Sequence, residues 1–148
     1  MKQSHVLQLA CEPLPIVRIG FIGLGNRGMA TLRRYLVIDG VEIVALCDIH
    51  RAHLDEASAV IAADGKYTPC LLNAQDGWKQ MCQRDDIDLI YICTDWLTHA
   101  PMACYAMEQG KHVAIEVPSA MTLDEIWALI NTSERTRKHC MQLENCVY

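Results

Sequence analysis

The stretch VRIGFIGLGNRG, residues 17–28, decides the fold. An apolar, β-branched run leads directly into Gly23-Leu24-Gly25-Asn26-Arg27-Gly28, which has the spacing Gly-x-Gly-x-x-Gly. At a strand-to-helix junction the first glycine permits a tight turn, the second lets a pyrophosphate approach the backbone, and the third lets helix and strand pack closely. The helix start then faces the anion. Gly23, Gly25, Asn26, Arg27 and Gly28 are therefore candidate cofactor-binding residues. Asp48 stands 20 residues beyond Gly28, at the end of the next apolar run. A carboxylate there accepts hydrogen bonds from the adenosine ribose and repels a 2′-phosphate, which favours NAD over NADP. Arg51 weakens that preference, since an arginine can serve a phosphate. The plainer alternative is that the glycines are ordinary turns and Asp48 caps the second helix.

Outward from this turn the pattern repeats. VEIVALC (41–47), LIYICT (89–94) and HVAIEV (112–117) are short, continuous apolar runs like the first, as expected of strands covered on both faces in a parallel sheet. Between them lie helical stretches. Asn26–Tyr35 starts at the glycine turn, and the segment after Cys47 places Leu54, Ala57, Val60 and Ile61 on one face with Gly65 as its stop. A short helix falls near Trp78–Cys82. Thr122-Leu-Asp-Glu125 is a capping box that opens a helix whose apolar stripe is Ile126, Trp127, Leu129 and Ile130. CMQLENCVY would then form a last strand ending at Tyr148. The expected fold is α/β, a Rossmann-type doubly wound, mostly parallel sheet of about six strands in a single domain over 16–148, after an extension over 1–15. One of the six strands has no residues assigned to it.

Composition excludes several classes. The 148 residues carry a net charge of −5, so there is no basic field to attract nucleic acid or an anionic membrane. The apolar patch at Val6–Cys11 is far short of the roughly 20 residues that span a bilayer. Several of the eight cysteines sit inside apolar runs, and none has metal-site spacing, so free thiols, no metal and a cytoplasmic location are expected.

Cofactor contacts in such a fold lie along the carboxyl ends of the strands. Thr94-Asp95-Trp96-Leu97-Thr98-His99 follows one strand, and its indole and imidazole can line a dinucleotide; alternatively Thr98 caps the next helix and Trp96 packs against it. Glu116, before Val117-Pro118, suits the nicotinamide ribose or pairs with a surface lysine. Asn145 is placed to bond the cofactor through its amide, and Tyr148 is a candidate substrate contact at a chain end. His50, His53, His112 and His139 read as surface or helix-end residues, and Trp78 and Trp127 as core.

Taken together, VRIGFIGLGNRG, the strand end Cys47-Asp48, THAPMACYAMEQGKHVAIEVP and LENCVY resemble the Gfo/Idh/MocA oxidoreductases over about residues 16–148. Within that group the details look most like glycoside hydrolase family 109, the NAD-dependent α-N-acetylgalactosaminidases. The sugar dehydrogenases of the wider family carry Glu-Lys-Pro where this sequence has Glu116-Val117-Pro118. The resemblance implies NAD as cofactor, held by Asn26, Arg27, Asp48, Trp96, Leu97, Thr98, His99, Glu116, Val117 and Asn145. It also implies a sugar substrate, oxidised transiently at C3 so that the C1 bond leaves by elimination. Family members continue into a second α/β domain that supplies most sugar contacts and the acid and base, so this chain is expected to bind cofactor and to catalyse nothing alone. A homo-oligomer is possible. The alternatives are an NAD-dependent sugar or inositol dehydrogenase and a noncatalytic NAD-binding module.

Overall fold

In a computed structural model, residues 5–7, 9–65 and 68–144 are described. The elements are β1 (Val17–Ile22), α1 (Asn26–Tyr35), β2 (Val41–Cys47), α2 (Arg51–Asp64), β3 (Cys70–Leu72), α3 (Gly77–Cys82), β4 (Leu89–Ile92), α4 (Trp96–Glu108), β5 (His112–Glu116), α5 (Leu123–Thr136) and β6 (Cys140–Leu143). The strands form one sheet in the order β3-β2-β1-β4-β5-β6, with every neighbouring pair parallel. This is the doubly wound Rossmann arrangement. Its order reverses between β1 and β4, which opens a crevice at their carboxyl ends.

The continuous apolar runs become strands because both of their faces are covered. Ile19, Phe21, Ile43, Leu46 and Tyr91 pack on one side with Leu32 of α1 and with Leu54 and Ile61 of α2. Ile22, Ala45, Ile90, Ile92, Val113 and Ile115 pack on the other with Met81 of α3, Ala103 and Met107 of α4, and Leu129 of α5. Full burial of each large aliphatic side chain stabilises the fold by roughly 1.5–3 kcal/mol. Gly65 ends α2 in the left-handed region at φ 73°. The expected capping box is formed: the Thr122 hydroxyl accepts the Glu125 amide while the Glu125 carboxylate accepts the Thr122 amide.

The sixth strand is accounted for, and two expectations needed correction. The unassigned strand is β3, only three residues long and half-buried along its length. On α5, Leu129 is buried, but Ile126 and Trp127 are exposed, the indole at 60%. The helix rests on α4 through one narrow side, so a stripe four residues wide in sequence is not a stripe buried in space. The last strand stops at Leu143; Asn145 and Tyr148 lie outside the described residues.

Candidate functional site

Gly23 and Gly28 are required by the chain itself. Gly23 sits at φ 89°, and a Cβ on it would meet the Cys93 carbonyl oxygen at 2.2 Å. A Cβ on Gly28 would lie 2.1 Å from the Gly23 carbonyl oxygen, so the bare Gly28 lets α1 approach the end of β1, as the bare Gly23 lets that turn approach the end of β4. Gly25 is different. It has an ordinary φ of −64°, and a Cβ there would meet nothing within 4 Å. Nothing in the protein explains its small size, and the open space lies at the start of α1. The first bond of that helix runs from the Met29 amide to the Gly25 carbonyl, 2.8 Å. The amides of Asn26 and Arg27 come before it, in the first turn of α1, and a helix start is an anion site.

Asp48, 8% exposed, is not the cap of α2, whose N-cap is His50. Its Oδ2 accepts the Leu24 amide at 2.7 Å and lies 3.1 Å from His53 Nδ1, while its Oδ1 accepts the His50 amide at 2.7 Å. The Asn73 side-chain amide donates to the carbonyls of Asp48 and Ile49. The carboxylate therefore fastens the glycine turn to the end of β2. A carboxylate has about four acceptor directions, so roughly one remains for a ligand hydroxyl. Arg51 pairs with Asp55 at 2.9 Å. Asp48→Ala is expected to leave the buried Leu24 amide without its partner and to lower stability by about 2 kcal/mol as well as weaken nucleotide binding. Urea unfolding of the variant, run beside a nucleotide titration, checks both effects.

Between the carboxyl ends of β1, β2 and β4 lies a cleft of about 510 Å³. Gly23, Gly25, Asp48 and Thr98 border it, so the strand ends bring these four candidates together. The remaining candidates are placed otherwise. Asp95, whose side chain accepts the Leu97 amide, is the cap of α4, and the helix starts two residues before Thr98. Trp96 and Leu97 stand exposed at 59% and 73%, so Trp96 does not pack on the helix. His99 is 1% exposed and donates from Nδ1 to the Pro118 carbonyl at 2.8 Å, tying α4 to the loop after β5.

Glu116 is buried beneath the turn. Its Oε1 accepts the Tyr91 hydroxyl at 2.8 Å and the Arg27 Nε–H at 3.0 Å. Its cationic partner is thus the arginine of the glycine turn, not a surface lysine, and α1 is bound to the ends of β4 and β5. That hydrogen bond to Glu116 holds the Arg27 guanidinium above its usual range. Burial is the first cause that pushes the Tyr91 phenol up, so it remains a donor at any physiological pH. Val117, next along, is at the surface.

Part of the cleft wall was not legible in the sequence. Ala74, Gln75, Asp76 and Trp78, from the β3–α3 loop, face the cleft with Ile49, His50, Thr94 and Asp95. Trp78 also packs on Tyr105, with ring centroids 5.2 Å apart, so it serves core and cleft together. The available signal was the turn-rich run Asn73-Ala-Gln-Asp-Gly77 after an apolar triplet. Cys47 lines the cleft too, and burial pushes its thiol up to about 12, which keeps it neutral and unreactive. Among the described residues no group of three His, Cys, Asp or Glu side chains is placed to hold a metal ion. A larger cavity, about 630 Å³, runs along β5 and β6 beside Leu129, Ile130, Met141 and Leu143. It borders neither the glycine turn nor Asp48, so its size does not mark the site.

Residues 17–143 match the model of the oxidoreductase family with an NAD-binding Rossmann fold. Over 146 residues the chain is 62% identical to the alpha-N-acetylgalactosaminidase of Bacteroides fragilis, covering 99% of this chain and 34% of that protein. It is 56% identical over 147 residues to a glycosyl hydrolase family 109 protein of Porphyromonas gingivalis, covering 99% of this chain and 31% of that one. The chain therefore spans about a third of the length of these curated relatives. Among solved structures, the scyllo-inositol dehydrogenase of Lactobacillus casei with bound NAD(H) and scyllo-inositol superposes with a TM-score of 0.74 at 22% identity, over 86% of this chain and 36% of that one. At that identity the likeness is one of fold.

Proposed function

The chain belongs to the oxidoreductase family that binds NAD through a Rossmann fold, and from that premise we propose that it is the cofactor-holding part of an NAD-dependent α-N-acetylgalactosaminidase. Gly25 carries the cofactor half of this reading. It is a glycine that the protein does not need, between two that it does, beside a space where a side chain would sit. The substrate half is supported by the 62% identity to the Bacteroides fragilis enzyme.

The residues present fit a dinucleotide. The diphosphate would lie over Gly25 against the first amides of α1, neutralised in part by the helix dipole. Asp48 would accept a ribose hydroxyl through its remaining acceptor direction, and the β3–α3 loop with Trp78 would wall the adenine. Glu116 and Arg27 hold the nicotinamide end of the crevice in shape, and Val117 brings no ionisable group to it. The chemistry supplied by the bound dinucleotide is reversible hydride acceptance, and the chain's task is to position it and keep it bound through the turnover. The described cysteines are all free thiols, which suits a reducing compartment.

Calorimetric titration of the purified chain with NAD⁺ and NADP⁺ tests the cofactor half, once mass spectrometry of denatured protein has shown that no nucleotide is already bound. Preferential binding of NAD⁺ is the expected result; a folded, empty chain that binds neither counts against it. The substrate half is tested on a protein that carries this chain at the relatives' full length. It should release N-acetylgalactosamine from an α-linked test glycoside with no net change in NADH absorbance. Steady NADH accumulation without cleavage would make it a sugar or inositol dehydrogenase instead.

A further inference from the structure

Two buried carboxylates grip the glycine turn from opposite sides of the point where the strand order reverses. Asp48, at the end of β2, accepts the Leu24 amide, and Glu116, at the end of β5, accepts the Arg27 Nε–H. A dinucleotide carries two riboses, one on each side of its diphosphate. Asp48 serves the adenosine ribose on the reading above, which leaves Glu116 for the other. Its Oε1 is filled: the Tyr91 hydroxyl donates to it at 2.8 Å and the Arg27 Nε–H at 3.0 Å, and a carboxylate oxygen has about two acceptor directions. Oε2 accepts no hydrogen bond among the described residues, on a side chain that is 7% exposed. The two donors to Oε1 differ in firmness. The Arg27 side chain is 39% exposed on a long stem. Tyr91 is fully buried, its ring centroid 4.6 Å from that of Phe21 and 6.0 Å from that of Tyr35, and its phenol oxygen has the Thr31 hydroxyl as a further partner. The phenol cannot shift without the core, so it fixes how the carboxyl plane is turned.

We propose that Tyr91 is the positioning residue of the second ribose contact: by occupying Glu116 Oε1 it sets Oε2 as a ready acceptor for the vicinal hydroxyls of the nicotinamide ribose. Tyr91 touches no ligand and acts through Glu116. A carboxylate left to rotate would have to be ordered when the ribose arrives, whereas one already locked by a core hydroxyl loses little freedom on binding. The inference rests on the crevice being the dinucleotide site, and its test separates the two.

ADP and ADP-ribose are the probes, because they differ by the second ribose. Calorimetric titration of the wild-type chain with each gives the factor by which that ribose tightens binding. The same factor is measured for Tyr91→Phe, which keeps the ring and loses only the hydroxyl. It is expected to be about tenfold in the wild type and to shrink about fivefold in the variant, with ADP affinity held within about twofold. A merely structural Tyr91 would weaken both ligands alike or leave both unchanged, and either result overturns the proposal alone. So does a wild-type chain that binds the two ligands equally. If thermal melting shows Tyr91→Phe to be unfolded, Thr31→Val, which strips the phenol of its other partner, is read in the same way. A folded wild-type chain that binds neither ligand overturns the dinucleotide site, and this proposal with it.

Discussion

Gly28→Ala is expected to destabilise the chain by about 3 kcal/mol, a larger loss than a single methyl ordinarily brings. The added carbon would stand 2.1 Å from the Gly23 carbonyl oxygen, well inside any van der Waals contact. That oxygen belongs to backbone, and it cannot swing aside as a side chain would. Gly23 is itself fixed, because its amide donates to the Cys47 carbonyl at 2.9 Å and its own missing Cβ faces the Cys93 carbonyl. Relief requires α1 to lift from β1, which opens contacts made by Met29 and Leu32 in the core. For a domain of this size the loss corresponds to a fall in melting temperature of roughly 6–12 °C. Differential scanning calorimetry decides the matter. An unchanged melting temperature would mean that the turn tolerates a side chain and that the tight approach described above is wrong.

Gly25→Val should do the reverse. Its backbone is one that valine adopts readily, and a Cβ there touches nothing, so stability should stay within about 1 kcal/mol of wild type. Nucleotide binding should weaken by about 100-fold, which is about 2.7 kcal/mol, because the branched side chain fills the space through which a diphosphate reaches the helix amides. A thermal melt and an NAD⁺ titration on the same preparation separate the two effects. Binding at wild-type affinity would show that the space beside Gly25 is not where the diphosphate lies, and would remove the observation on which the cofactor reading stands. Together the two glycines distinguish a turn built for folding from a turn built for a ligand.

The strands of the inner sheet were legible because burial on both faces leaves a continuous apolar run that no surface segment imitates. The glycine turn was legible because its spacing states both its geometry and its use. β3 was not, since three half-buried residues carry no period. With it went Ala74, Gln75, Asp76 and Trp78, which reach the cleft only because that short strand places their loop there. The tie between Arg27 and Glu116 was hidden for a different reason. The two residues are neighbours only after β5 has been laid beside β4, and no local pattern announces a pairing made by topology. Trp127 misled because helical spacing reports which residues share a face, not whether another element comes to cover it.

Asp48 gives the same two oxygens to the Leu24 and His50 amides that it would offer to a ribose. Choice of cofactor and soundness of the fold are therefore not separate traits in this chain. A descendant that exchanged this carboxylate for a smaller neutral residue to welcome a phosphorylated coenzyme would first have to re-anchor its own glycine turn.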